Sequence, residues 1–203
     1  MKIICIGRNY ADHAKELGNA LPTEPLFFCK PDSAILPKGN PFFIPEWTQS
    51  VHYEVELVFK VDRLGKYIQP ENAMKYISAF SLGIDFTARD IQDELKAKGQ
   101  PWEKAKGFDG SAVISEEWID IAEFDPIHLT FGLKKNGVWV QQGKVSDMIF
   151  KLDAIVSYVS QFMTFKIGDL IYTGTPEGVG PVATGDVLEG FIGERKMFEL
   201  KVK

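Results

Sequence analysis

Cysteine is scarce. Cys5 and Cys29 are the only two in 203 residues, too few for a disulfide scaffold or a zinc ribbon, and they point to a reduced, cytoplasmic compartment. Basic charge is not in surplus either: Lys+Arg total 23 against 28 Asp+Glu, a formal net charge of −5. A nucleic-acid partner would call for a basic stripe, so nucleic acid is excluded as the main partner. No apolar run approaches the roughly 18 residues of a membrane helix, which excludes a membrane span. Arg8 interrupts the first ten residues before a secretory apolar region could finish, and no small-residue cleavage site follows. Long repeats, low-complexity tracts and a linker-like block are all missing, so residues 1–203 are expected to form a single domain.

Short alternating or apolar segments are what the chain does have, punctuated by 18 Gly and 11 Pro. That pattern predicts strands joined by turns. Strands are expected at Lys2–Ile6, Leu26–Cys29, Phe42–Ile44, Val51–Val61, Ile77–Phe86, Leu170–Thr173, Val187–Ile192 and Met197–Val202. His128–Lys134 and Val138–Gln141 read as a hairpin about Asn136-Gly137. Asn9–Leu17, closed by Gly18, has helical composition, and Asn19–Pro25 is then a loop. A second helix is expected after a Thr87 cap, with Asp90 at its positive end, Ile91 and Leu95 facing the core, and Gly99 as its stop. Leu152–Met163 places apolar residues at 152, 155, 156, 159 and 163, a helix with one buried face. The class is mostly β, α+β by content, with a few peripheral helices.

The segment His52-Tyr53-Glu54-Val55-Glu56-Leu57 carries the most chemistry. Side chains alternate along a strand, so Tyr53, Val55 and Leu57 share one face and His52, Glu54 and Glu56 the other. Two carboxylates on one face, about 6–7 Å apart at Cα, can converge on one cation. The same pattern also fits the solvated outer face of an antiparallel strand. Asp85 ends the apolar run Leu82-Gly83-Ile84, where an acid is costly if buried without a partner. It can supply a third oxygen ligand. Three carboxylates without cysteine suit Mg²⁺, or Mn²⁺, better than zinc.

His13 and Glu16 are three residues apart and meet on one helix face. A carboxylate beside an imidazole can orient it and stabilise its protonated form, so the pair can take a proton from water. An ordinary surface pair has the same spacing. His52 is either a neighbour supporting the glutamates or a satisfied strand histidine, and His128 has no chemical company. Gly174, Gly178 and Gly180 form no phosphate-binding signature; they let the backbone turn close to a ligand, where Thr175 can offer a hydroxyl or N–H.

Taken in order, several motifs resemble the fumarylacetoacetate hydrolase superfamily, and within it the short acylpyruvase and oxaloacetate decarboxylase-like members. They are Gly7-Arg8-Asn9-Tyr10 with His13 and Glu16, Lys30-Pro31, His52-x-Glu54-x-Glu56, Asp85-Phe86-Thr87-Ala88-Arg89-Asp90-x-Gln92, Lys104-Ala105-Lys106-x-Phe108-Asp109, and Gly168-Asp169 with Thr173-Gly174-Thr175-Pro176-x-Gly178-Val179-Gly180. The resemblance implies a mixed β-sandwich roll, usually a homodimer. It implies Mg²⁺ on Glu54, Glu56 and Asp85, and water activation by His13 and Glu16 on a segment that closes over the substrate. It also implies contact of Lys106 with a bound oxo acid, and further contacts from Arg8, Arg89, Gln92 and Thr175.

A divalent ion with three carboxylates carries a net charge of −1, one negative charge in excess. Arg8 and Lys106 reverse that sign, and Arg89 adds to it. Such a site suits a small-molecule 2-oxo acid, with enolate charge shared between the ion and Lys106. The expected activity is Mg-dependent C–C hydrolysis or decarboxylation of acylpyruvates such as acetylpyruvate or fumarylpyruvate, or of oxaloacetate. The alternative is isomerisation or tautomerisation of a 2-hydroxydiene or 2-oxo diacid. Residues within Gly18–Glu24 are expected to shape the far end of the pocket.

Overall fold

The computed structural model describes residues 1–16, 18 and 20–203, so the ends of the expected first helix and of the loop after it, Leu17 and Asn19, lie outside the described residues. Strand accounts for 37% and helix, short 3-10 turns included, for 23%, which makes the fold α+β with β predominant.

The large sheet is built from β1 (Ile3–Gly7), β2 (Leu26–Lys30), β4 (Val55–Val61), β5 (Ile77–Asp85), β7 (Ala112–Ile114), β8 (Ile119–Asp120) and β11 (Leu170–Tyr172). Its order is β2-β1-β11-β4-β5-β7, with β8 also on β5. A three-stranded sheet joins β12 (Gly180–Pro181), β3 (Val51–Tyr53) and β6 (Thr87–Ala88). A four-stranded sheet runs β10 (Val138–Lys144), β9 (Thr130–Lys135), β13 (Val187–Ile192), β14 (Arg195–Lys201). The helices are α1 (Ala11–Glu16), α2 (Arg89–Ala97), α3 (Glu103–Lys106) and α4 (Leu152–Phe162).

Alternation along β4 and β5 decides where the core lies. Val55, Leu57 and Phe59 with Phe80, Leu82 and Ile84 face inward against Phe131, Leu133 and Leu188 of the four-stranded sheet, and α4 adds Ile155, Val156 and Val159. The opposite face of the large sheet is also covered: Ile3, Cys5, Val58 and Tyr172 pack there under Phe28 and Trp118. With both faces buried, an acid on either one needs a partner.

Several expected elements appear with shifted ends, and a few differ in kind. The long strand 51–61 breaks at Glu54, where the chain leaves the three-stranded sheet and enters the large one. Phe42–Ile44 is no strand; Phe42 makes one isolated bridge to Val202. Thr87 does not cap a helix but pairs with His52 in β6, and α2 starts at Arg89 without a side-chain cap. Asp90 instead accepts from the Thr48 hydroxyl at 2.6 Å and the Gln49 N–H at 2.9 Å. Gly99, at φ 63°, does end that helix. The Asn136-Gly137 hairpin turn has φ of 53° and 80°, the pair of positive values that the right-handed strand twist favours.

Candidate active site

One end of the large sheet gathers the chemistry. β1 and β11 run parallel, β4 runs antiparallel to β11, and β5 antiparallel to β4. The C-terminal ends of β1, β11 and β5 therefore meet the N-terminal end of β4. From those ends come Arg8, Thr175, Asp85, Glu54 and Glu56.

Glu54, Glu56 and Asp85 each offer an oxygen, and these lie within 4.8 Å of one another. Register explains it: Glu56 pairs with Gly83 and Val55 with Ile84, so Asp85 sits diagonally across from Glu56 on the same face. Glu54 is 5% exposed, Glu56 2% and Asp85 1%, which removes the solvated-face reading. Three buried oxygen donors without sulfur or imidazole fit a hard divalent cation. Glu54, Glu56 and Asp85 are the residues that would hold it.

Cations surround the triad. Lys106, at the end of α3, donates to Glu54 Oε2 at 2.7 Å and Asp85 Oδ2 at 2.8 Å. Arg89, in the first turn of α2, pairs with Glu54 Oε1 and donates to Gln92 Oε1 at 2.6 Å. Burial pushes the Glu54 carboxyl up, but the Lys106 ammonium and the Arg89 guanidinium outweigh it and hold the group well below the ordinary carboxylate range. Glu56 goes the other way. Burial first, then the charges of Asp85 and Glu54, raise it well above that range, against Lys106 and a 2.7 Å hydrogen bond from the Gly174 N–H. Burial disfavours the charged form of Lys106, and Asp85 and Glu54 more than restore it.

His13 is buried on α1, and its Nδ1 faces Glu16 Oε2 at 3.2 Å. Glu16 in turn accepts from the Gly178 N–H at 3.1 Å. That leaves His13 Nε2 as the ring nitrogen outside the pair. Arg8 holds φ 59°, a left-handed backbone that is uncommon for a residue with a side chain and aims it away from the strand direction.

Arg8, His13, Glu54, Glu56, Asp85, Arg89, Gln92, Lys106 and Thr175 all line one cleft, walled by Ile6, Phe28 and Trp102, with about 30 Å³ of free space. Glu16 is the exception: it backs His13 and opens onto a neighbouring hollow with Trp139, Gln141 and Gly178. His52 engages Ser50 Oγ at 3.1 Å instead of the glutamates; burial, then the Arg89 charge, push it down and favour its neutral form. His128 is exposed beside Asp125.

Sequence reasoning gave three residues here no role. Lys96 lines the cleft mouth, with its ammonium 5.6 Å from the Trp102 ring centre. Lys30, 1% exposed, has its ammonium 2.7 Å from Asp85 Oδ1, and it donates to Phe86 O, Ser111 O and the Lys106 carbonyl. It thereby ties Asp85 to α3. Gln141, 1% exposed, links β4 to the Thr175 loop. The Lys30-Pro31 motif was the one available signal among these.

Comparison with known proteins gives the chain a context. A family model described as fumarylacetoacetate (FAA) hydrolase, C-terminal, matches residues 2–200. Among curated relatives, the mitochondrial oxaloacetate tautomerase FAHD1 of Bos taurus is 44% identical over 190 residues, covering 94% of this chain and 86% of that protein. The oxaloacetate tautomerase YcgM of Escherichia coli K12 is 44% identical over 189 residues, covering 92% and 86%. Among solved structures, fumarylpyruvate hydrolase from Pseudomonas aeruginosa, in complex with Mn²⁺ and pyruvate, superposes with a TM-score of 0.93 at 35% identity, covering 100% of this chain and 89% of that one. No helix among the described residues is long and apolar enough to cross a membrane.

Proposed function

The chain belongs to the fumarylacetoacetate hydrolase family, and on that premise we propose that it is a divalent-metal-dependent enzyme that interconverts the enol and keto forms of a small 2-oxo diacid of the oxaloacetate class. One observation carries the choice of a diacid. The cleft lining sets Arg8, Arg89, Lys96 and Lys106 against Glu54, Glu56 and Asp85, one positive charge in excess. A divalent ion raises that excess to three, which a dianionic substrate offsets better than a monoanion. The names of the bovine and E. coli relatives support the same substrate class.

When bound at Glu54, Glu56 and Asp85, Mg²⁺ or Mn²⁺ would supply Lewis acidity toward the 2-oxo group. The chain's own residues do the rest. Arg8 and Thr175 bind the carboxylate next to the oxo carbon, and Gln92 holds Arg89 in place. Lys106 donates to the oxo oxygen and steadies negative charge there once the enol O–H has given its proton to water, which balances the proton that C3 gains. His13 carries a proton to or from C3, and Glu16, fixed by the Gly178 N–H, sets its tautomer.

The His13–Glu16 pair favours a second reading. The same base can deliver water to the far carbonyl of an acylpyruvate, so that the C–C bond breaks to pyruvate and a carboxylic acid. Loss of CO₂ from oxaloacetate needs no such water. The sequence alone favours these reactions; the relatives' names support reading tautomerisation as the main one. A progress curve on enol-oxaloacetate with the Mg²⁺-loaded protein tests the order. Tautomerisation changes absorbance without releasing pyruvate or CO₂. Faster release of either product than of the absorbance change would reverse it.

We also propose a single catalytic domain over residues 1–203 acting as a homodimer, on family grounds, with sedimentation as the test. Free thiols at Cys5 and Cys29 support a reducing, cytoplasmic setting.

A further inference from the structure

Gln141 lies on β10 at a register shift between Trp139 and Gln141, which turns its side chain inward. Both amide hydrogens and one lone pair of the oxygen are used. Oε1 accepts from the Val55 N–H at 2.9 Å, and that donor fixes which end of the amide is oxygen. Nε2 then donates one hydrogen to Thr175 Oγ1 at 2.8 Å and the other to Pro176 O at 2.9 Å. Val55 stands between Glu54 and Glu56, so one buried amide joins the carboxylate strand to the loop after β11. The loop is pressed on β10 here: a Cβ at Gly178, at φ 92°, would lie 2.1 Å from Val140 O.

We infer that Gln141 is a positioning residue that directs the Thr175 hydroxyl proton into the cleft, toward a substrate carboxylate. A hydroxyl has one proton to give. With Gln141 occupying a lone pair of Thr175 Oγ1, the O–H must point elsewhere. Among the described residues no acceptor receives it, and Thr175 lines the cleft beside Arg8 and Lys106. The hydroxyl is thus oriented as a donor before substrate arrives, which strengthens binding to an anion and discriminates against an uncharged analogue. This inference rests on the reading of the cleft as a 2-oxo acid site.

The test is a double-mutant cycle of Gln141→Glu and Thr175→Val in the Mn²⁺-loaded protein, with oxaloacetate kinetics and Mn²⁺ affinity by electron paramagnetic resonance. A carboxylate at 141 can only accept, so it draws the Thr175 proton out of the cleft. Each single variant should raise KM on the order of tenfold, the loss of about one charge-assisted hydrogen bond. Turnover at saturation and Mn²⁺ affinity should stay within about threefold, on the same hydrogen-bond scale, and the double variant should be no worse than the poorer single one. The Gln141→Glu defect should also shrink as pH falls toward about 4–5, where the introduced carboxyl gains a proton to donate. Should that variant not fold, Gln141→Met keeps the volume, removes both donors and completes the same cycle. Additive losses, or a KM unmoved by either change, overturn the inference alone. A wild-type protein that turns over no 2-oxo acid removes the functional reading, and this inference with it.

Discussion

The Lys106 ammonium donates to Glu54 Oε2 across 2.7 Å, although 52 residues separate the two in sequence. Both side chains are buried, so this pair offsets charge that would otherwise be stranded in the interior. Lys106→Met leaves three carboxylates facing one another with less compensation. The metal-free variant should lose about 3–5 kcal/mol of stability, as for other broken buried pairs, and gain more than the wild type does when Mn²⁺ is added. Thermal unfolding with and without the ion measures both. Equal metal-free stability would contradict the proposed compensation.

His13 is assigned to proton transfer at carbon or to water activation, and not to anion binding. His13→Ala should lower tautomerisation and acylpyruvate hydrolysis by roughly 10²–10⁴-fold. Decarboxylation of oxaloacetate, which needs no water attack, should fall far less. Parallel assays on one preparation decide it; equal loss of all three activities would give His13 another role.

Lys96 supplies the extra cation at the cleft mouth. Lys96→Ala should raise KM for a diacid about tenfold, near 1.4 kcal/mol, while leaving a monoacid such as acetylpyruvate almost unaffected. An equal effect on both substrates would remove the argument for a diacid.

Asp169 sets an acid limit on stability far from the cleft. Its fully buried carboxylate accepts from the Lys2 N–H and the Lys166 N–H, both at 2.8 Å, and pairs with the Lys2 ammonium. Burial pushes the group up, but those donors outweigh it and hold it below the usual range. The folded state therefore binds this proton more weakly than the unfolded chain. Its contribution is complete above the unfolded value of about 3.9 and is lost as pH falls through the folded one. Asp169→Asn should cost about 1–3 kcal/mol at pH near 7 and much less at strongly acidic pH. Urea unfolding across that range checks the sign, and an equal cost at both ends would refute it.

Much of this site was legible because strand periodicity is strict. Alternation put Glu54 and Glu56 on one face, and an acid ending the apolar run at Asp85 had to have a partner. Helix spacing paired His13 with Glu16. What escaped was held by distant partners: Gln141 reaches Val55 across 86 positions, and Lys30 reaches the Lys106 carbonyl across 76. No local pattern marks such contacts. β7, β8, β12 and the four residues of α3 are too short for periodicity to register. In α2 the buried positions are Arg89, Gln92 and Leu95, so the apolar stripe expected at Ile91 and Leu95 holds for Leu95 and not for Ile91, and Arg89 and Gln92 line the cleft.

Titration of chelator-stripped protein with Mn²⁺, followed by electron paramagnetic resonance, examines the shared carboxylate site most directly. The account predicts one ion per chain, turnover that returns in step with occupancy, and affinity lowered at least about a hundredfold, near 2.7 kcal/mol, in Glu54→Gln and Asp85→Asn. Undiminished Mn²⁺ affinity in those variants, or full turnover after exhaustive chelation, would contradict it.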